Sequence, residues 1–226
     1  MNALIIDQVS EHIQSFLETG FQHVDVVFLP SHDELRDIIG KYDLLVMRVD
    51  PRIDQEILDA AKNLKAITVS AVGTNHIDLE YAKSKNIQVT NAPGMNSNTV
   101  AELTMSKMLD LARNTMPANE AVKKEHRWNK YVWTGIELKN KTLGIIGYGK
   151  IGSRVGHFAK AFDMDIIAYD PYLSAEEIEG RGAKKVPLDE LLTTADVISI
   201  HMPLTPETRG MISFREFDLM KKGVIV

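Results

Sequence analysis

The chain has no cysteine, no long apolar run and no excess of positive charge, and each absence excludes a class of protein. Without cysteine, its 226 residues cannot form disulfide frameworks, thiolate metal sites or cysteine nucleophiles, which agrees with a reducing cytoplasmic location. No apolar run approaches the roughly 18 residues of a membrane-spanning helix. The N-terminus, with Asp7 and Glu11, lacks the basic start of a signal peptide. The net charge of −5 argues against nucleic acid as a partner.

What the chain does contain is a regular alternation of short β-branched runs and longer amphipathic segments. Hydrophobic residues make up 44% of it and charged residues 25%, as in ordinary globular proteins. The alternation predicts parallel βαβ units, and therefore an α/β fold with parallel sheets. The predicted strands are residues 3–6, 24–29, 44–49, 66–70 and 87–90, followed by 142–146, 165–169, 184–186, 197–201 and 224–226.

Several helix boundaries carry their own signals. Ser31, with Glu34 three residues later, predicts a capping box. Asp54 is typical of an N-cap residue, and the apolar spacing over residues 98–113 predicts a long helix. Both tryptophans lie within residues 128–133. This aromatic segment is consistent either with a loop packed on its own domain or with a subunit interface.

The most informative stretch is residues 141–152, an apolar strand that runs into a G-x-G-x-x-G loop and then a helix. Gly147 permits a tight turn, Gly149 allows a pyrophosphate to approach the backbone, and Gly152 allows close packing of helix on strand. Asp170 ends the next strand, 18 residues after Gly152. A carboxylate in that place accepts hydrogen bonds from the adenosine ribose. The spacing therefore predicts a dinucleotide site.

Asp170 also favours one dinucleotide over the other. Its carboxylate would repel a 2′-phosphate, and residues 171–173 provide no arginine to receive one. We therefore expect NAD rather than NADP. No His-Glu-x-x-His motif or paired-carboxylate pattern is present, so we predict no metal site.

Taken together, these motifs resemble those of the D-isomer-specific 2-hydroxyacid dehydrogenase family, and most closely its D-3-phosphoglycerate dehydrogenase branch. The resemblance extends from about Leu44 to Val226 and is dense after Val72. The stretches that carry it are residues 72–79, 91–96, 100–102, 144–152, 169–171 and 196–208.

The resemblance implies two domains and a reaction. Residues 1–98 would form a flavodoxin-like substrate domain, and residues 99–226 a Rossmann-type NAD-binding domain that mediates homodimer formation. Active members of the family transfer a hydride between NAD and C2 of a small 2-hydroxy or 2-oxo acid.

Particular residues match the family's binding positions. The substrate-binding set implied by the resemblance is Arg48, Val72, Gly73 and Asn96. The cofactor-binding set is Val72, Gly147, Gly149, Lys150, Ile151, Gly152, Asp170, Met202, Pro203 and Thr208. Two of these assignments have simpler alternatives, since Arg48 is also consistent with a solvated strand end and Asn96 with a helix cap.

The resemblance assigns no catalytic residue to this chain. The family's catalytic Arg, Glu and His would lie beyond Val226, so we expect an incomplete dinucleotide domain and little turnover from residues 1–226 alone. Among the histidines, His76 is interpreted as a helix cap or surface residue. His201 is interpreted as a neighbour of the adenine end of the cofactor. Neither is the expected acid–base group.

Three alternatives to a phosphoglycerate dehydrogenase remain open. Two are enzymes of the same family, a glyoxylate/hydroxypyruvate reductase and a D-lactate dehydrogenase. The third is an NAD-binding regulatory module without chemistry, as in corepressors of the C-terminal-binding-protein type, which share the fold.

Overall fold

The computed structural model describes residues 1–127, 129 and 131–226, and it divides into two compact units, Met1–Met95 and Asn96–Val226. Each unit has a parallel sheet with helices in the connections. The predicted α/β class is therefore confirmed. None of the helices in the described ranges is both long and apolar enough to cross a membrane.

The first unit is a five-stranded sheet in the order β2-β1-β3-β4-β5, which is the flavodoxin-like order. Its central strands are almost wholly buried because helices cover both faces, and Leu4, Leu45 and Ile67 have no exposed surface. The strands are β1 (Asn2–Ile5), β2 (His23–Val26), β3 (Leu44–Met47), β4 (Ala66–Val69) and β5 (Gln88–Asn91). The helices are α1 (Glu11–Glu18), α2 (His32–Ile38), α3 (Gln55–Ala60) and α4 (Leu79–Ser84), with a 3₁₀ turn at Ile39–Lys41.

The second unit is a four-stranded sheet in the order β8-β7-β6-β9, which matches the first four strands of the doubly wound dinucleotide fold. The strands are β6 (Thr142–Ile146), β7 (Asp165–Tyr169), β8 (Lys184–Lys185) and β9 (Val197–Ile200). The helices are α5 (Ser97–Arg113), α6 (Thr115–Lys123), α7 (Lys150–Lys160), α8 (Ala175–Gly180), α9 (Leu188–Thr194) and α10 (Phe214–Leu219).

Local signals in the sequence position several helices as predicted. Ser31 and Glu34 form the capping box at the start of α2, and the Asp54 carboxylate accepts the Ile57 amide at the start of α3. The long predicted helix is α5, which begins one residue early and ends where Asn114 adopts a left-handed conformation with φ 53°. Side chains close in sequence make these bonds, so a short window of sequence suffices to predict them.

An aspartate joins two neighbouring parallel strands at the start of each sheet. In the first unit, the Asn2 amide donates to the Asp43 carboxylate at 2.8 Å, and Lys65 Nζ donates to the same carboxylate at 2.7 Å. In the second unit, the Thr142 amide donates to Asp196 at 2.9 Å, and Lys221 Nζ does so at 3.0 Å. Each aspartate thus satisfies an amide that no neighbouring strand residue pairs.

Six predicted strands are shorter in the structure, and those at 66–70, 184–186 and 197–201 lose only their last residue. β2 ends at Val26 rather than residue 29, because the chain turns at Leu29, whose φ is 47°. β3 ends at Met47 rather than residue 49. The strand predicted at 224–226 is reduced to a single bridge between Val197 and Ile225, after a turn at Gly223 with φ 83°.

Candidate dinucleotide-binding site

The glycine loop leaves β6 and enters α7, and its first glycine is dictated by close packing. Gly147 has φ 91°, and a Cβ on it would stand 2.8 Å from the carbonyl carbon of His201 and 2.9 Å from the Met202 nitrogen. The loop therefore lies directly against the segment that follows β9. Only glycine combines that backbone conformation with that contact.

The third glycine brings α7 onto the loop. A Cβ on Gly152 would stand 2.1 Å from the carbonyl oxygen of Gly147, so any side chain would push the helix away from the strand. Gly149 differs, because the position of its Cβ has no protein atom within 4 Å and opens onto free space. That space adjoins the first turn of α7, formed by Lys150, Ile151 and Gly152. A helix N-terminus presents amide groups and a partial positive charge, so this cradle fits a pyrophosphate.

Asp170 follows β7 and is 7% exposed. Its carboxylate accepts two backbone amides, from Tyr148 to Oδ2 and from Tyr172 to Oδ1, both at 2.9 Å. Each carboxylate oxygen has a second lone pair, so capacity for ribose hydroxyls is left. The sequence indicated the ribose role, but not that the same side chain anchors the glycine loop, because 22 residues separate Asp170 from Tyr148.

Asp170 and Pro171 line a cavity of about 350 Å³ together with Lys185 from the neighbouring strand β8. The Lys185 ammonium group donates to the carbonyl of Leu173. Residues 171–173 contain no cation, but parallel pairing places Lys185 beside Ala168, a proximity that the spacing in the sequence does not indicate.

The segment after β9 brings together the remaining residues of the cofactor set in this unit. Met202, Pro203 and Thr208 line one cavity of about 230 Å³. The Thr208 hydroxyl donates to the Pro203 carbonyl at 2.6 Å, which closes the turn. His201, just before it, lies 2.9 Å from the Ser199 hydroxyl through Nε2, and burial lowers the pKa of its imidazole. His201 is therefore neutral at pH 7.

The proposed substrate residues lie in both units. In the first, Arg48 follows β3 and Val72 and Gly73 follow β4, and these strands are parallel neighbours, so the three residues share one edge of the sheet. Arg48 is exposed, and the Val72 carbonyl accepts the Asn91 side-chain amide at 2.7 Å. In the second unit, Asn96 occupies the N-cap position of α5, but its side chain makes no capping bond.

The interpretation of His76 as a cap or surface residue is wrong. His76 is 8% exposed, and its Nε2 atom is buried without a hydrogen-bond partner. The cap of α4 is Asp78, whose carboxylate accepts the Tyr81 amide at 3.0 Å. Burial lowers the pKa of His76, although the nearby Asp50 acts in the opposite direction. The His76 carbonyl accepts a hydrogen bond from the Ile53 amide at 2.9 Å, which joins this loop to the segment before α3.

In the described ranges, no cluster of three or more His, Asp or Glu side chains could hold a metal ion. The candidate site consists of backbone amides, one carboxylate and the turn after β9. Backbone amides at a helix N-terminus bind anions without any metal.

Comparison with known proteins identifies this arrangement. Residues 105–226 match the family model for the NAD-binding domain of D-isomer specific 2-hydroxyacid dehydrogenases. The chain is 40% identical over 226 residues to a D-3-phosphoglycerate dehydrogenase of Archaeoglobus fulgidus, covering 100% of this chain and 43% of that protein. It is 43% identical over 210 residues to a hydroxypyruvate reductase of Thermotoga maritima, covering 93% of this chain and 65% of that relative.

A solved structure agrees with these relatives. The D-lactate dehydrogenase of Aquifex aeolicus, complexed with NAD and lactic acid, superimposes with a TM-score of 0.85 at 33% identity, covering 99% of this chain and 67% of that one. The chain spans 43% and 42% of the length of two phosphoglycerate dehydrogenases that it matches. On these matches, the chain belongs to the D-isomer specific 2-hydroxyacid dehydrogenase family and carries its NAD-binding domain.

Proposed function

We propose that the protein transfers a hydride between NAD and C2 of a small 2-hydroxy or 2-oxo acid, with 3-phosphoglycerate as the first candidate substrate. The observation that carries the proposal is the cradle in front of α7, where Gly147 and Gly152 have no room for a side chain and Gly149 faces open space. NAD, when bound, supplies the hydride acceptor. The residues of this chain bind and orient it.

Within the second unit, different parts of the site bind different parts of the cofactor. The first turn of α7, with Lys150 and Ile151, holds the pyrophosphate through its amides. Asp170 accepts the ribose hydroxyls. Met202, Pro203 and Thr208 line the path of the cofactor beyond β9.

In the first unit, the proposed substrate residues recognise the negative charge of the substrate. Arg48 offers an exposed guanidinium group, which pairs with carboxylate or phosphate through two parallel hydrogen bonds. The backbone at Val72 and Gly73 lies on the same sheet edge and would meet the substrate carboxylate, with Val72 also near the nicotinamide. Asn96, at the start of the second unit, completes the proposed substrate set.

The relatives support two other substrates. The Thermotoga maritima relative is a hydroxypyruvate reductase, and the Aquifex aeolicus structure is a D-lactate dehydrogenase. NADH oxidation by the full-length protein with 3-phosphohydroxypyruvate, hydroxypyruvate, glyoxylate and pyruvate separates the three. The highest kcat/KM with the phosphorylated acid supports the first candidate, and preference for glyoxylate or hydroxypyruvate assigns the reductase activity.

Binding without turnover is the outcome expected of a regulatory module. If the protein binds NADH but oxidises it with none of these acids, it is an NAD-binding regulatory module rather than an enzyme. If NADH fluorescence shows no binding at all, the dinucleotide site itself is wrong.

We further propose that the protein is a cytoplasmic homodimer formed through its second unit. Leu103 and Leu111 are each 57% exposed on α5, and Lys107 lies between them at helical spacing. Tyr131 and Val132 of the aromatic segment are 77% and 57% exposed. Exposed apolar side chains of this size are typical of interfaces. Trp128, part of the same predicted interface, lies outside the described residues.

A further inference from the structure

Tyr148, the second residue of the glycine loop, is entirely buried and makes a reciprocal contact with Arg181. The Tyr148 hydroxyl donates to the Arg181 carbonyl at 3.2 Å, and Arg181 Nη1 donates to the Tyr148 carbonyl at 3.1 Å. Burial raises the pKa of Tyr148, although Arg181 acts against it, so the phenol keeps its proton at neutral pH. Arg181 is the C-cap of α8, where its own amide bonds to the last turn.

The space for this phenol depends on another glycine. A Cβ on Gly156, in α7, would stand 2.7 Å from the Tyr148 hydroxyl oxygen and 3.2 Å from Cε2. Tyr148 therefore fits beneath α7 only because residue 156 has no side chain. The large residue and the small one are complementary in volume.

These bonds determine the direction of two loop peptides. The Tyr148 carbonyl and the Gly149 amide belong to one planar peptide, in which the C=O and N–H point to opposite sides. Arg181, by holding the carbonyl, sets the direction of the Gly149 N–H. In the same way Asp170, by accepting the Tyr148 amide at 2.9 Å, sets the direction of the Gly147 carbonyl.

We propose that Arg181 and Tyr148 are positioning residues that orient the glycine loop for the pyrophosphate of the dinucleotide. This inference rests on the proposed NAD site. Neither side chain needs to touch the cofactor. Arg181 acts through the peptide that it holds, and Tyr148 acts by attaching the loop to the turn after α8.

The test compares ligands with and without a pyrophosphate. Arg181→Ala removes the bond to the Tyr148 carbonyl from an otherwise exposed side chain, so the protein still folds. We expect it to weaken NADH and ADP-ribose binding roughly fivefold, the scale of one lost hydrogen bond. Adenosine, measured by displacement of NADH, changes by less than about twofold. Arg181→Lys, which keeps a donor, recovers part of the loss.

Arg154→Ala is the matched control, because it removes an exposed arginine from α7 whose bond is to Asn98 rather than to the loop. We expect it to leave the ratio of NADH to adenosine affinity unchanged. Equal weakening of NADH and adenosine by Arg181→Ala, or an equal effect of Arg154→Ala, overturns the inference while the NAD site stands. No NADH binding by the unsubstituted protein overturns the proposed function instead.

A second pair of variants tests the packing of the phenol. Gly156→Ala should weaken NADH binding, because its methyl group displaces the Tyr148 hydroxyl. Adding Tyr148→Phe removes the oxygen that lies 2.7 Å away, so the double variant should bind NADH more tightly than Gly156→Ala alone. If the losses of NADH affinity caused by Tyr148→Phe and by Gly156→Ala instead add up in the double variant, the contact does not position the loop.

Discussion

The carboxylate of Asp170 accepts a hydrogen bond from the backbone amide of Tyr148 at 2.9 Å, so the residue that follows β7 is bonded directly to the glycine loop. This contact joins the two parts of the dinucleotide site that the sequence indicated separately. One side chain therefore serves both the ribose end of the site and the conformation of the loop.

Replacing this carboxylate should alter both affinity and selectivity. Asp170→Ala removes the ribose acceptor and leaves the Tyr148 amide without its partner, so we expect NADH affinity to fall about tenfold or more. NADPH affinity should fall less, because a source of repulsion for the 2′-phosphate is removed. Titration of both cofactors by fluorescence measures the two changes. Asp165→Ala, at the other end of β7, is the matched control, and tighter binding of NADPH than NADH by the unsubstituted protein would contradict the assignment.

Gly149→Ala should weaken NADH binding with little effect on the stability of the fold. Its backbone has φ −72°, which alanine adopts readily, and the added methyl group meets no protein atom within 4 Å. We expect a stability change within about 1 kcal/mol, but at least tenfold weaker NADH binding, since the methyl group occupies the space of the pyrophosphate. Gly180→Ala, where a Cβ also meets nothing, is the control and should leave both unchanged. Undiminished NADH binding by Gly149→Ala would place the pyrophosphate elsewhere.

The aspartate that joins β6 and β9 should make stability depend on acid pH. Burial opposes ionisation of Asp196, but the Thr142 amide and the Lys221 ammonium group outweigh it, so its pKa lies below the ordinary 3.8. Its stabilising effect is therefore complete above the unfolded pKa and disappears as the pH falls through the lower folded pKa. We expect Asp196→Asn to cost about 1 kcal/mol at pH 7 and progressively less toward pH 3. Urea unfolding followed by tryptophan fluorescence measures this, with Asp165→Asn as a surface control, and a cost independent of pH would contradict it.

The proposed homodimer should depend on the exposed leucines of α5. The double change Leu103→Glu and Leu111→Glu places charge on a face that dimerisation would bury, so we expect light scattering to report a monomer. Phe16→Glu, at a still more exposed apolar position on α1 of the other unit, should remain dimeric. If the unsubstituted protein is a monomer at tens of micromolar, the proposed homodimer is wrong.

The histidines illustrate where sequence reasoning fails. The family resemblance of its loop predicts that His76 is a cap or a surface residue. It is buried, and the backbone of its loop pairs with a neighbouring segment through the Ile53 amide. That pairing depends on how two loops meet at the end of a sheet, and the residues around His76 do not encode it.

The sequence alone determined what depends on local spacing. It indicated the parallel α/β class from the alternation of apolar runs, the capping box of Ser31 and Glu34, and the glycine loop, because each involves residues within a few positions of one another. Tertiary structure alone decided what depends on distant segments. It placed Arg181 on the Tyr148 carbonyl, Lys185 in the cavity beside Asp170, and Tyr148 beneath Gly156. The pairing of β8 with β7 brings Arg181 and Lys185 to the dinucleotide site from another βαβ unit, and the packing of α7 on the glycine loop places Tyr148 beneath Gly156. Neither arrangement produces a periodic pattern in the sequence.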